Sequence, residues 1–185
     1  YTYSQLEKLI INFCFQLTKI LKKNKITRQR IMIHSSSSIY SAVSMLGCAK
    51  LGIEFSVIFE DLELKAINNR IQIFKPDIFI SRWNRVKFFK KFNKKKLKKT
   101  NFYFFNEIQI LNKNIIQKPK FSFFKSYKSL FTLFTSGSTG APKGIVHTTG
   151  GYLLYTKFTC INQFGMNSNS IVLTASDAGW INGHT

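Results

Sequence analysis

Phe131-Thr132-Leu133-Phe134-Thr135-Ser136-Gly137-Ser138-Thr139-Gly140-Ala141-Pro142-Lys143-Gly144 is the stretch on which the reading of this chain turns. Residues 130–134 form an apolar run that predicts a buried strand, and it leads straight into a Gly/Ser/Thr loop. A loop that holds polyphosphate needs close backbone approach, inward N–H groups and hydroxyls, and a cation. Gly137, Gly140 and Gly144 meet the first need, Thr135, Ser136, Ser138 and Thr139 the second, and Lys143 the third. Pro142 stiffens the turn before Lys143. The spacing is not G-x-x-x-x-G-K-[ST], because Pro142 stands where the second glycine belongs, and it is not G-x-G-x-x-G. Neither a P-loop NTPase nor a dinucleotide-binding dehydrogenase is indicated. The competing reading is a flexible Ser/Gly surface loop. A buried-type strand entering the loop, and Pro-Lys leaving it, argue against that.

Upstream of the loop, Thr2 with Gln5, or Ser4 with Glu7, fits a capping box. Leu6, Leu9, Ile10, Phe13, Leu17, Ile20 and Leu21 then recur at helical spacing. Residues 30–34 predict the first strand. Residues 35–38 offer N-cap serines for a helix lined by Ile39, Val43, Leu46 and Ala49, with Gly52 as its C-cap. Residues 55–59 predict a buried strand, Leu64, Ile67, Ile71 and Phe74 a third helix, and residues 77–81 a third strand. Residues 82–101 carry many cations and no acid, with Phe88, Phe89, Phe92 and Leu97 able to anchor a helix; such a run is ordinarily a solvated face. Residues 102–105 predict a further strand and residues 106–129 a variable connection. Beyond the loop, residues 152–164 predict a helix and residues 170–176 a last strand, with residues 177–185 leaving its C-terminal end. The alternation predicts an α/β layer with parallel strands.

Composition bounds the rest. An apolar fraction of 44% with 15% aromatic residues supports a packed core and excludes a wholly disordered chain. Lys and Arg total 28 against 8 Asp and Glu, a net charge of +20. Three readings of that charge stay open: a nucleic-acid partner, polyanionic small substrates, or a coding bias toward Lys, Asn, Ile and Phe. No nucleic-acid-binding motif is seen, so no nucleic-acid partner is expected. Cys14, Cys48 and Cys160 form no CxxC and no metal-ligand pair, which reads as reduced core thiols in a cytoplasmic protein. No apolar run approaches the ~18 residues of a membrane span, so no membrane partner is expected. Tyr1 already enters a helix and Thr185 falls inside a motif, so both ends are expected to be cut.

Thr135 to Gly144 resembles the signature loop of the adenylate-forming superfamily, which includes acyl-CoA synthetases, peptide-synthetase adenylation domains and luciferases. Ile145-Val146-His147-Thr148-Thr149-Gly150-Gly151-Tyr152 and Asp177-Ala178-Gly179-Trp180-Ile181-Asn182-Gly183-His184 resemble acetyl-CoA synthetases more narrowly, as do residues 42–59 and Lys75-Pro76-Asp77. The resemblance covers nearly all of residues 1–185 and is weakest over residues 82–129. It implies an α/β fold, part of the large N-terminal AMP-binding domain, with the C-terminal domain absent.

It also implies a ligase that joins a short carboxylate, acetate first, to ATP, releases pyrophosphate, and passes the acyl group from the adenylate to coenzyme A. A propionyl-CoA synthetase and an inactive nucleotide-binding remnant are the alternatives. ATP, Mg²⁺ and coenzyme A are the implied cofactors, and the short carboxylate, ATP and CoA the implied small-molecule partners. By the same resemblance Thr135, Ser136, Gly137, Ser138, Thr139, Gly140, Lys143 and Gly144 bind the ATP phosphates. Trp180, Ile181 and Asn182 form the acyl pocket, with Asn182 standing where the family has threonine or an apolar residue. Lys87 and Lys90 fall at the positions of the family's Arg-x-x-Arg pair for the CoA phosphate, with Phe88-Phe89 between them, and lysine lacks the guanidinium fork. Glu60-Asp61 replace the glycine pair expected after the second strand. His147 and His184 are expected to be structural hydrogen-bonders. No catalytic residue and no metal ligand is assigned within the chain, which on its own is expected to be inactive.

Overall fold

A computed structural model describes residues 1–92, 100–108, 119, 121, 123–135 and 142–184. Helix α1 (Tyr3–Lys23) starts in the expected capping box: the Gln5 N–H donates to Thr2 Oγ1 at 3.2 Å and the Thr2 N–H to Gln5 Oε1 at 2.9 Å. Strand β1 (Arg30–His34) leads to α2 (Ile39–Leu51), capped by Ser38. Then follow β2 (Glu54–Ile58), α3 (Leu64–Phe74), β3 (Ile78–Ser81), α4 (Arg85–Lys91), β4 (Asn101–Phe104) and the short α5 (Phe105–Ile108). A β-hairpin of β5 (Ser129–Thr135) and β6 (Lys143–Thr148) leads into α6 (Thr149–Asn162), and a 3-10 turn spans Ile181–Gly183.

The strands make one sheet in the order β4-β3-β1-β2-β5-β6. The first five are mutually parallel and β6 is antiparallel to β5. The α/β class expected from the sequence is therefore observed, with an antiparallel edge that the expectation of parallel strands missed. The chain steps from β1 to β2 on one side and returns to β3 on the other. The loops after β1 and β3 thus depart in opposite directions, the place where open α/β sheets form crevices.

Two apolar layers sandwich the sheet. One contains Phe13 and Leu17 of α1, Val43 and Cys48 of α2, and Ile31, Ile33, Val57 and Phe131 of the strands. The other contains Ile67, Ile71 and Phe74 of α3, Phe79, and Phe88, Phe92 and Phe104. Phe88 is fully buried and stacks on Phe92 at 4.4 Å between ring centroids. This anchors α4 as expected; Leu97 lies outside the described residues with the rest of residues 93–99, as do residues 109–118, 120 and 122 of the connection. The face of α2 differs from expectation. Leu46 is 46% exposed, while Ser41, Ser44, Gly47 and Cys48 are buried. Small residues let α1 approach closely: a Cβ on Gly47 would collide with the Phe13 ring. Residues 170–176 are not a strand, and Ile171 and Leu173 are exposed.

An ionic knot ties the N-terminal ends of the strands. Arg30 Nε donates to Glu54 Oε2 at 2.9 Å and its Nη1 to the Phe74 carbonyl at 3.1 Å, while Thr132 Oγ1 donates to Glu54 Oε1 at 2.8 Å. Gly52 ends α2 with φ of +64°, and a Cβ there would strike the Phe124 ring. Gly52→Ala is expected to destabilise the fold by about 1–3 kcal/mol, from left-handed strain plus overpacking. Urea unfolding against wild type checks this.

Cys14 and Cys48 are buried free thiols, pushed up in pKa by burial, Cys14 to about 12. Among the described residues no helix is long and apolar enough to cross a membrane.

Candidate functional site

The loop singled out in the sequence is the connection of the β5–β6 hairpin. Thr135 pairs with Lys143 and Phe134 with Gly144, so the two ends of the connection are held side by side. Ser136, Gly137, Ser138, Thr139 and Gly140 lie outside the described residues. A strand follows the connection, not a helix, so a helix N-terminus is not the anion-binding device here. Lys143 is exposed at the mouth of the hairpin.

From Lys143 the strand β6 runs into the wall of a cleft of about 1240 Å³. Val146, His147 and Thr148 of β6 line it, with Tyr152 and Tyr155 of α6, Val172 and Leu173 of the crossing segment, and Ile181 and Asn182. The rise of a strand puts His147 roughly 13 Å from Lys143. The hairpin mouth and the cleft therefore share one strand. Ile181 and Asn182 fall in the cleft as one group; Trp180 does not line it. Its indole is 57% exposed and packs on Phe59 with 5.7 Å between ring centroids.

Residues 176–184 form a compact turn seated on the sheet. Ala178 is buried in the core, Gly179 lies against the Phe59 ring, and the Trp180 N–H donates to the Asp177 carbonyl at 2.9 Å. His184 stacks on Phe131 at 4.6 Å and 4°, and His147 lies on the same ring at 4.6 Å and 25°. Both imidazoles were expected to be hydrogen-bonders. For His184 the structure differs: neither ring nitrogen has a partner among the described residues. Burial pushes its pKa down to about 4, with His147 adding to the shift, and burial lowers His147 too. Neutral rings stacked on an aromatic are the consequence.

Lys87 and Lys90 stand elsewhere. Both are exposed on α4, where Lys87 and Lys91 hold their ammonium groups over Trp83 at 4.8 and 4.7 Å. That helix follows β3, and four strand spacings, roughly 19 Å, separate β3 from β6. The structure does not bring these lysines to the hairpin. Lys87 lies instead near the ends of β1 and β3, over Trp83 and close enough to lower the His34 pKa. There the buried His34 joins Ser81 Oγ at 2.8 Å and the Glu60 carbonyl at 3.2 Å. Sequence reasoning passed over His34, Ser37 and Phe59. The run of four serines after an apolar strand signalled only a helix cap.

The chain is similar to known proteins in both fold and sequence. Its structure matches the acetoacetyl-CoA synthetase of Streptomyces lividans with a TM-score of 0.78, over 97% of this chain and 30% of that one, at 15% identity. At that identity the likeness speaks to the fold alone. The profile of the AMP-binding enzymes matches residues 1–185, and the chain belongs to that family. Among curated relatives, the acetyl-coenzyme A synthetase of Pasteurella multocida is 30% identical over all of this chain and 32% of its own length. That of Xylella fastidiosa is 56% identical over 57 residues, 31% of this chain and 9% of its own. The chain thus spans about a third of the length of the Pasteurella relative it matches end to end.

Proposed function

We propose that this chain is part of the N-terminal AMP-binding domain of a ligase that activates a short-chain carboxylate, acetate foremost, to an acyl-adenylate and then to acyl-CoA. The observation that carries this reading is the shared strand: β6 begins at the phosphate-loop lysine and ends in the wall of a cleft that also takes Ile181 and Asn182. A nucleotide phosphate chain at one end and a small acid at the other suit an attack of the carboxylate oxygen on the α-phosphorus. The bond to pyrophosphate breaks, and negative charge builds on the departing oxygens.

In this reading Lys143, with the hydroxyls and N–H groups of Thr135, Ser136, Gly137, Ser138, Thr139, Gly140 and Gly144, holds those oxygens. A Mg²⁺ ion bound with the nucleotide would share its charge. The described residues hold no cluster of three or more His, Cys, Asp or Glu that would grip a metal; at the hairpin mouth the chain supplies the cation of Lys143. Ile181 and Asn182 border the acyl chain, and a pocket wall of this kind separates acids differing by one methylene by about 1–3 kcal/mol. Lys87 and Lys90 meet the CoA phosphate from the β1–β3 crevice.

Acetate-dependent exchange of pyrophosphate into ATP, measured on the full-length protein with acetate, propionate and butyrate, tests the reading. Exchange is expected with acetate above the longer acids. Exchange led by propionate would reassign the acid, and none with any of the three would overturn the function.

A further inference from the structure

The turn that carries Ile181 and Asn182 is pinned at one point to the loop after β1. The Ser37 N–H donates to Asp177 Oδ2 at 3.3 Å, and Ser37 Oγ donates to the Ser176 carbonyl at 3.4 Å while accepting from the Ala178 N–H at 3.0 Å. The other carboxylate oxygen, Asp177 Oδ1, accepts from the Gly179 N–H at 2.8 Å. One carboxylate therefore closes the turn on itself and fastens it to a loop 140 residues away in sequence. The rest of the turn has little freedom. A Cβ on Gly183 would collide with the Asp177 carbonyl, and one on Gly179 would come within 2.7–3.0 Å of the Phe59 ring.

Tyr152 and Tyr155 of α6 also line the cleft, and Tyr152 packs edge-on against the Phe131 ring of β5 with 4.8 Å between centroids. Ile181 and Asn182 follow the Asp177–Ser37 contacts by four and five residues, so those contacts fix where the turn that carries them starts.

We propose that Asp177 is a positioning residue, and Ser37 its anchor: together they fix how far Ile181 and Asn182 project into the cleft, and so set the length of carboxylate admitted. This rests on the carboxylate-activating reading above. Asp177 itself touches no substrate. An anionic acceptor suits the task, because two N–H groups converge on it from different segments and bonds to a charged acceptor are shorter and stronger than neutral ones. An asparagine would offer one acceptor and turn a donor toward the other N–H.

The test uses the full-length protein with Asp177→Ala, Ser37→Ala and Ser37→Thr. Asp177→Ala is expected to raise KM for acetate roughly tenfold, with KM for ATP held within about twofold, and to flatten the preference among acetate, propionate and butyrate by a similar factor. Ser37→Ala should do the same to a lesser degree, and Ser37→Thr, which keeps the hydroxyl, should restore selectivity. Amide hydrogen exchange gives a readout independent of turnover: residues 176–184 should exchange roughly tenfold faster in Asp177→Ala, with β1 and β2 unchanged. An active wild type whose Asp177→Ala variant keeps its acid preference and its exchange protection overturns this inference alone. A general loss of protection across the sheet also overturns it, by making Asp177 merely structural. A wild type that activates none of the three acids overturns the functional reading and this inference with it.

Discussion

Replacing Lys143 by alanine is expected to lower acetate-dependent ATP–pyrophosphate exchange by roughly a hundred- to a thousand-fold, the usual penalty for removing a preorganised group that stabilises developing charge. Position gives the reason. Lys143 is the first residue of β6 and pairs across the hairpin with Thr135, so its backbone is fixed while its side chain is exposed at the mouth of the connection. In the proposed reading an ammonium carried there would meet pyrophosphate oxygens as they gain charge. Lys143→Arg keeps the charge but spreads it over a planar fork, and is expected to recover only part of the rate. The control is Lys87→Ala. Its side chain lies over Trp83, four strands away, so exchange should stay near wild type while KM for CoA in the complete reaction rises. Steady-state kinetics of both half-reactions in the two variants separate the outcomes. Equal losses in both assays from Lys87→Ala would remove the division of labour argued from the sheet order.

Some of this was legible before the structure and some was not, for physical reasons. The long face of α1 could be read because Leu9, Phe13, Leu17 and Leu21 repeat at helical spacing and all are buried. β1, β2 and β3 could be read because they are buried on both faces, which forces a continuous apolar run. β6 could not. Residues 143–146 of this edge strand are exposed, so no alternation marks it, and its existence depends on pairing with β5. Residues 170–176 failed in the opposite sense. Their apolar residues suggest a strand, yet a strand needs a neighbour, and Ile171 and Leu173 stand exposed. Leu46 misled because apolarity was weighed above size: the buried face of α2 is built from Ser, Gly and Cys, which let Phe13 approach. The family was legible in the Gly/Ser/Thr loop because that signature is local in sequence. The Asp177–Ser37 clamp was not, because its two halves meet only after the sheet has formed.

Acid should weaken the fold in a window to which buried His34 contributes. Its ring is fully buried at the end of β1, between Phe79 and Trp83, with one nitrogen on Ser81 Oγ and the other on the Glu60 carbonyl. Burial pushes its pKa down from 6.5 to about 4; the Glu60 carbonyl and Asp61 oppose that shift and Lys87 adds to it. In the unfolded chain the imidazole takes up its proton at its ordinary pKa, so unfolding gains a proton that the folded protein refuses. The stabilising contribution of neutral His34 is complete above about pH 6.5, declines as pH falls, and is exhausted below about pH 4, a total near 3 kcal/mol. Urea unfolding at about pH 7 and about pH 4.5 should show wild type losing roughly 2–3 kcal/mol more than His34→Gln, whose amide can serve both hydrogen bonds without titrating. His184, also pushed down to about 4 by burial, adds its own slope in the same window, but it does so alike in both proteins and cancels in the comparison. Equal losses in the two proteins would show that the ring is hydrated in the fold. Lys87→Ala gives the sign a second check. Removing that cation lifts the His34 pKa toward its ordinary value, so the variant should lose less stability than wild type over the same range.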